Sequence, residues 1–245
     1  MALAIILSYA RPQNIARIVA ALESAAKVER ILVSNNNPDV DLAPHLRASP
    51  KLELVQQARR FLPAKRFEIA ARSGAAAFLC VDDDLFLEPA QIDRLLEEAA
   101  RDPSVPHGVW GERYGVSQGM IAMHPGVHRF EGRVGILNRC YAFTAEHVRR
   151  FFMLASLLGF AGVEDIPLGD DVLLGFCGDD APLCHDLGPL EDCPTANEPG
   201  VALWRREGFF AERGELFTRL LALPPDCTPW WPARMDAFRR EIARA

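Results

Sequence analysis

The sequence predicts a single α/β domain of the Rossmann-like kind, with a mostly parallel central sheet flanked by helices. Three observations support this prediction. Short apolar runs alternate with segments of helical periodicity through residues 1–105, several of these runs end at turn-forming or acidic residues, and no repeat or low-complexity linker divides the 245 residues. Strands that alternate with helices are typical of parallel sheets covered by helices.

The elements of the first half follow from the positions of the apolar residues. Residues 2–8 form a continuous apolar run, as expected of a strand buried on both faces. After Pro12, apolar residues recur at helical spacing up to Leu22. The remaining elements of this half are predicted, in order, as strands at 30–34 and 52–55, a helix at 64–73, a strand at 77–81 and a helix at 89–100.

The second half is less regular. We expect three strands joined by glycine-rich turns, two well-defined helices, a short helix that opens at the aspartates after Gly169, and a loop rich in Pro, Gly, Asp and Cys. These elements are the strands at 109–111, 117–123 and 134–137, the helices at 145–158 and 208–223, and the loop at 178–200.

Composition narrows the class of protein. The net charge is −6 and no basic stripe stands out, which argues against a nucleic-acid-binding protein. No apolar stretch approaches the roughly 18 residues of a membrane span, and the apolar start lacks the basic region of a signal peptide. We therefore expect a soluble cytoplasmic protein with reduced thiols. Whether Cys184 and Cys193 close a loop disulfide is left open.

Three aspartates, Asp82 to Asp84, follow directly after a predicted buried strand. Ser8-Tyr9 and the Asn35 turn also follow strands, so all three groups should lie along one rim of the sheet. Asp82 and Asp84 should share a face. Adjacent carboxylates at the end of a buried strand require a cation or hydrogen-bond donors, and Mg²⁺ or Mn²⁺ suits them. The alternative is a solvated acidic turn that caps the next helix.

Further candidates are a second acidic pair and several basic residues. Asp170 and Asp171 either cap a helix or face a substrate. A bound diphosphate would also require cationic donors, and Tyr9 could stack on a nucleobase or belong to the core. The candidates for phosphate contacts are Arg11, Arg59, Arg60, Lys65 and Arg213.

Several short stretches occur in an order that resembles a known family. The most specific is Arg60-Phe61-Leu62-Pro63 followed by the strand that ends in Asp82 to Asp84. In order and spacing they resemble the C-terminal catalytic domain of the exostosin-type glycosyltransferases (family 64), which transfers N-acetylhexosamine. The other stretches are at 5–11, 33–36, 107–113, 135–143, 169–172 and 212–215.

The resemblance implies an A-type glycosyltransferase fold, a UDP-hexose or UDP-N-acetylhexosamine donor, Mn²⁺ or Mg²⁺, and retention at the anomeric carbon. Residues 1–105 would bind the nucleotide-sugar and residues 106–245 the acceptor. By this resemblance Asp84 would bind the metal, Asp82 and Asp83 would contact the nucleotide, and Asp171 and Arg213 would be the catalytic residues. From the positions and chemistry of the residues themselves we add Asp82 as a second metal ligand and Asp170 as a further catalytic residue. The nucleotide-sugar contacts are then Ser8, Tyr9, Arg11, Asn35, Arg60, Lys65, Asp82 and Asp83.

The sequence departs from the family at Ala58-Arg59, where the family has two asparagines, and at Gly169-Asp170, where it has Cys-Glu. Two other functions stay open. A sugar nucleotidyltransferase is disfavoured because no glycine follows the first strand. A non-catalytic nucleotide- or sugar-binding protein would share the fold. The acceptor, a glycan or another hydroxyl compound, is not identified by the sequence.

Overall fold

A computed structural model describes residues 1–117, 120–123 and 126–243. Its strands, numbered in chain order, are β1 (Ala2–Ser8), β2 (Val28–Asn35), β3 (Leu52–Gln56), β4 (Ala77–Asp82), β5 (Leu85–Phe86), β6 (His107–Gly108), β7 (Trp110–Glu112), β8 (Tyr114–Ser117), β9 (Met120–Met123), β10 (Val127–His128), β11 (Gly132–Arg133), β12 (Ile136–Leu137), β13 (Cys140–Thr144), β14 (Leu183–Cys184) and β15 (Glu191–Asp192).

The helices occur in the order that the sequence predicts, with the last helix in addition. They are α1 (Pro12–Ser24), α2 (Lys65–Arg72), α3 (Pro89–Arg101), α4 (Ala145–Leu157), α5 (Asp170–Gly175), α6 (Phe209–Leu221) and α7 (Trp231–Ile242), with short 3-10 turns at Ala43–His45 and Leu203–Arg205.

The main sheet has the strand order β11-β14-β6-β13-β4-β1-β2-β3. Strands β4, β1, β2 and β3 are parallel, and β13 pairs antiparallel with β4. Parallel neighbours bring their carboxyl ends to one edge. Leu7 of β1 therefore lies beside Asp82 of β4, and Ser8 lies beside Asn35 of β2.

Helices cover both faces of this sheet, so the fold is a single α/β domain with a mostly parallel central sheet. Side chains on one face of β1, such as Ile6, pack with α1 and α3. Side chains on the other face, such as Leu3 and Ile5, pack with helices that include α2, α4 and α6. Alternation along a buried strand supplies both layers.

Several second-half elements differ from the sequence prediction. The strand predicted at 117–123 is instead the hairpin of β8 and β9, with residues 118 and 119 outside the described part of the chain. The loop predicted at 178–200 contains the short strands β14 and β15. Helix α7 was not predicted, and its Trp231 is a buried core residue.

Two further observations concern the chain as a whole. No helix within the described residues is long and apolar enough to cross a membrane. The six cysteines, Cys184 and Cys193 among them, are free thiols.

Candidate active site

A cavity of about 980 Å³ opens at the carboxyl ends of β1 and β4. Its floor includes the ends of these strands, the residues before β13 and the start of α5. Much of one wall is formed by residues 196–213, which run into α6. The volume is near the upper end of ordinary ligand sites, which span about 300–1,000 Å³.

Each aspartate of the triplet is paired with a different arginine. Asp82 Oδ1 lies 3.0 Å from an Nη of Arg66, and Asp83 Oδ1 accepts a hydrogen bond of 2.7 Å from Arg11. Asp84 Oδ1 accepts a hydrogen bond of 3.1 Å from Nε of Arg139. The compensation that three adjacent carboxylates require is therefore present in the protein itself.

Asp83 is the most enclosed of the three. It is buried, its second oxygen accepts the main-chain N–H of Tyr9 at 3.2 Å, and its carbonyl accepts from Asn14 at 2.7 Å. Burial raises the pKa of the Asp83 carboxyl, and Arg11 opposes that shift. Asp83 thus ties β4 to the turn after β1, whereas the side chains of Asp82 and Asp84 are 33% and 17% exposed to the cavity.

Arg139 has no counterpart in the sequence prediction. It occupies the left-handed region of the backbone with φ of 64°, which is uncommon for a residue other than glycine. Its guanidinium binds the Asp84 carboxylate, the Asp84 carbonyl at 2.9 Å and Asp192 at 2.7 Å. It also lies 4.5 Å from the ring centroid of Trp110. Backbone strain of this kind is often found at functional sites.

The residues predicted on the β1 side largely reach the cavity. Ser8 is buried there, with no hydrogen-bond partner for its hydroxyl among the described residues. The ring of Tyr9 is stacked by the guanidinium of Arg60 at 4.2 Å, and both side chains line the cavity.

Three other predicted residues lie elsewhere. Asn35 does not line the cavity, because its side chain bonds Gln56 and main-chain groups of its own turn. Lys65 also lies outside the lining and pairs with Glu68 at 2.7 Å. Arg59 forms an exposed pair with Glu164.

In the first two cases the next residue along the chain lines the cavity instead. Asn36 is buried there, and Arg66 reaches Asp82, Asp170 and the hydroxyl of Tyr141.

A second acidic cluster lies at the start of α5. Arg213 from α6 contacts both carboxylate oxygens of Asp171 and lies 3.2 Å from Glu112 of β7. Asn138 donates to the other oxygen of Glu112 at 2.8 Å. Glu112 is buried enough that its pKa is raised, although Arg213 opposes this shift. Glu112 was not predicted as a site residue, because no local pattern marks a strand residue that an arginine 101 positions away will contact.

Glycine at the start of α5 permits this arrangement. The cap position is Gly169, with φ of 136°, so neither Asp170 nor Asp171 is the cap that the sequence left open. A Cβ on Gly169 would lie 2.8 Å from the side chain of Leu216 on α6. The close approach of α5 and α6 brings Arg213 within reach of Asp171.

Asp170 has a weaker partner than Asp171. It is 5% exposed, and its nearest cation, Nε of Arg66, lies 3.6 Å away. Burial therefore prevails over that charge and raises the pKa of the Asp170 carboxyl to about 7. A carboxyl with such a pKa can exchange a proton near neutral pH.

The loop before the 3-10 turn at Leu203–Arg205 connects the two sides of the cavity. Thr195 accepts hydrogen bonds from Arg11 at 3.2 Å to its hydroxyl and 3.1 Å to its carbonyl. The N–H of Cys193 donates to the carbonyl of Asp84 at 3.0 Å. Residues 193–213 thus run from the aspartate triplet to the Asp171 cluster.

Over the part of the chain that the structure describes, no group of three or more His, Cys, Asp or Glu side chains is arranged as a metal site. The two predicted metal ligands, Asp82 and Asp84, both line the cavity.

Comparison with known proteins identifies the family. The profile of glycosyl transferase family 2 matches residues 3–154, more than half of the chain. The chain belongs to glycosyl transferase family 2. The matched region contains the aspartate triplet, Glu112 and Arg139, whereas Asp170, Asp171 and Arg213 lie beyond it. No curated protein matches the sequence.

Solved structures share the fold of this chain. A structure of S. aureus TarS 1–349 has a TM-score of 0.53 at 11% identity, over 90% of this chain and 71% of that one. A structure of S. aureus TarS 1–349 in complex with UDP has a TM-score of 0.52 at 12% identity, over 78% of this chain and 59% of that one. Identities this low show a shared fold. The resemblance to the exostosin type within the A-type glycosyltransferases is not confirmed by these comparisons.

Proposed function

We propose that this family 2 glycosyltransferase transfers a hexose or N-acetylhexosamine from a UDP-sugar to a hydroxyl group of an acceptor. One observation carries the proposal. The arginine-paired aspartate triplet and the buried cluster around Asp171 face the same cavity, so a site for a diphosphate and a site for a reacting sugar adjoin. The complex of the similar TarS fold with UDP is consistent with this donor.

Residues 1–105 supply the donor side in this proposal. The exposed ring of Tyr9, held by Arg60, suits a nucleobase, and the buried hydroxyl of Ser8 suits a polar group of the nucleotide. Arg11 is already engaged by Asp83 and Thr195, so we assign it to the shape of the site and to electrostatic support of the diphosphate. Residues 106–245 supply the Asp171 cluster and the acceptor side.

A divalent cation, Mn²⁺ or Mg²⁺, fits Asp84 and Asp82. Both present hard carboxylate oxygens to the cavity, and such cations often take one or two carboxylates while phosphate oxygens and water complete their coordination. When bound, the cation supplies positive charge to the leaving diphosphate. Arg139 donates to Asp84 Oδ1, so a cation bound to that oxygen would compete with Arg139.

Asp170 supports base-assisted transfer. Its carboxylate would take the proton of the acceptor hydroxyl. The hydroxyl oxygen would then form a bond to the anomeric carbon. The bond from that carbon to the phosphate oxygen would break, and UDP would leave with the electron pair. Such a direct displacement inverts the anomeric configuration. The resemblance to exostosins implies retention instead, with the leaving phosphate taking the proton, and the anomeric configuration of the product by proton NMR separates the two.

Nucleotide binding is the first test. UDP, GDP, CDP, ADP and dTDP are compared by thermal shift, each with and without Mn²⁺. A ligand at about a hundredfold excess over its dissociation constant stabilises the fold by about 2.7 kcal/mol. We expect a Mn²⁺-dependent shift with UDP, followed by hydrolysis of a UDP-sugar. A lack of any nucleotide shift would contradict the proposal, and binding without hydrolysis or transfer would favour a non-catalytic protein.

A further inference from the structure

Exposed apolar side chains are concentrated around the cavity. Across the described residues, five large hydrophobic side chains are exposed, and three of them, Tyr9, Trp204 and Phe210, line this cavity. The ring of Tyr9 is in contact with the guanidinium of Arg60 and was assigned above to the donor side. Trp204 and Phe210 are 42% and 60% exposed, and the donor side gives them no role. Clustered exposed apolar side chains often mark a binding surface.

Apart from one nitrogen, the side chain of Trp204 is apolar carbon. Its single polar atom, Nε1, lies 3.4 Å from the carbonyl oxygen of Ala196 and donates to it. The guanidinium of Arg205 lies 5.1 Å from the ring centroid. The ring is thereby held at the mouth of the cavity, with apolar surface available to a ligand.

Phe210 is linked to the Asp171 cluster through Phe209. Its ring meets that of Phe209 edge to face, with centroids 5.2 Å apart. The guanidinium of Arg213 lies 5.1 Å from the centroid of Phe209, and Arg213 binds Asp171. Phe210 therefore adjoins the cluster at which an acceptor hydroxyl would react, whereas Trp204 lies on the segment that runs from the triplet to that cluster.

We propose that Trp204 and Phe210 form the acceptor subsite and that its occupant is a pyranose ring of a glycan. This inference rests on the proposed function. A sugar ring has C–H bonds on one face and hydroxyls around its edge. The C–H face suits the negative face of an aromatic ring, and the hydroxyls suit carboxylates such as Asp170 and Glu112.

An aliphatic acceptor fits these surroundings less well. It would cover the aromatic carbon of Trp204 but would also desolvate neighbouring polar groups without pairing them. Arg205, Arg206 and Asn197 line the same part of the cavity. Burial of such groups without partners is unfavourable.

The test measures binding of methyl β-pyranosides of glucose, galactose, mannose and N-acetylglucosamine by saturation-transfer NMR, with UDP and diamagnetic Mg²⁺ present. We expect at least one glycoside to bind. Trp204→Ala should weaken its binding about tenfold, and Phe210→Ala should weaken it less, whereas Trp204→Phe keeps an aromatic face and most of the affinity. Leu157→Ala is the control, because Leu157 is 46% exposed on α4 and does not line the cavity.

The thermal shift with UDP is measured on every variant, so that loss of the fold or of the donor site is recognised. Binding of no glycoside to a protein that binds UDP would overturn the acceptor subsite and leave the proposed function standing. Equal glycoside affinity of Trp204→Ala and the original protein would also overturn it. Binding of octan-1-ol that depends on Trp204, without glycoside binding, would replace the glycan with an aliphatic acceptor. If UDP itself does not bind, the donor proposal fails. The glycosides are then titrated without UDP, and binding that depends on Trp204 supports the acceptor subsite whereas lack of binding overturns it.

Discussion

Replacement of Arg213 by methionine should destabilise the protein strongly, and more so at higher pH. Arg213 is 2% exposed and joins Asp171 of α5 to Glu112 of β7. Methionine keeps an unbranched chain of similar length and removes the charge. The two carboxylates, whose side chains are 13% and 15% exposed, would lose their shared cation.

The expected size follows from the burial of this pair. Removal of one partner of a buried ion pair costs about 3–5 kcal/mol, and each kcal/mol lowers the melting temperature of a chain of this size by about 2–4 °C. We therefore expect a decrease of about 6–20 °C. Because both carboxylates retain some exposure, the lower half of that range is the better expectation.

The dependence on pH has a definite sign. Burial already raises the pKa of Glu112 in the folded state, and loss of Arg213 removes a cation that opposes the shift. A carboxyl with a raised folded pKa stabilises the fold below its unfolded pKa, and this contribution is lost as pH rises through the folded value. The gap between variant and original protein should thus be larger at pH 8 than at pH 5.

Thermal unfolding followed by circular dichroism at both pH values measures the effect. Arg239→Met is the matched control, because Arg239 forms an exposed pair with Asp236 that should contribute at most about 1 kcal/mol. A melting temperature of Arg213→Met within about 2 °C of the original at pH 8, or a gap that does not change with pH, would refute the reasoning.

Four further predictions concern single side chains. Asp84→Asn should remove the Mn²⁺-dependent part of the UDP thermal shift while UDP alone still binds, and an unchanged Mn²⁺ response would count against Asp84 as a ligand. Arg139→Gln should bind Mn²⁺ several-fold more tightly by electron paramagnetic resonance, because Asp84 Oδ1 is no longer held, and weaker binding would contradict this competition. Transfer should accelerate as pH rises through about 7, where the Asp170 carboxyl loses its proton, and Asp170→Asn should lose both the rate and that pH profile. Gly175→Ala should destabilise the fold by about 1–3 kcal/mol, because its Cβ would lie 2.4 Å from a main-chain carbonyl oxygen. Gly214→Ala in α6 places its Cβ in open space and should stabilise the fold by about 0.5–1 kcal/mol. Equal melting temperatures for the two variants would argue against both expectations.

The sequence was sufficient to predict the parallel half of the sheet and the edge at which the site lies. Continuous apolar runs such as residues 2–8 and 77–81 identify buried strands, and the carboxyl ends of parallel strands share an edge. The aspartate triplet and Tyr9 were located on this basis. Family 2 membership and the A-type fold then agree with that part of the prediction.

Two of the predicted residues lie one position away from a residue that lines the cavity, and this offset has a local cause. Asn36 and Arg66 line the cavity where Asn35 and Lys65 were predicted. Consecutive side chains point in different directions, and the direction after a strand or at the first turn of a helix depends on the backbone of the turn. Periodicity gives no information about that turn.

Other site residues depend on contacts across the fold. Arg139 reaches Asp84 because β13 pairs antiparallel with β4, and Glu112 reaches Arg213 through β7 and α6. Strand pairing over such distances leaves no spacing signal in a single sequence. The start of α7, in contrast, is marked in the sequence, because Pro232 occupies the first turn of the helix, where proline is favoured.

The charges around the cavity nearly cancel. Seven arginines and six carboxylates line it, although the whole chain has a net charge of −6. Long-range attraction of an anionic nucleotide requires an excess of positive charge around its site. The lining therefore supplies little net long-range attraction, and each of its charges acts only within a Debye length of about 8 Å at physiological salt. Selectivity would then depend on contacts formed after the ligand arrives rather than on electrostatic steering.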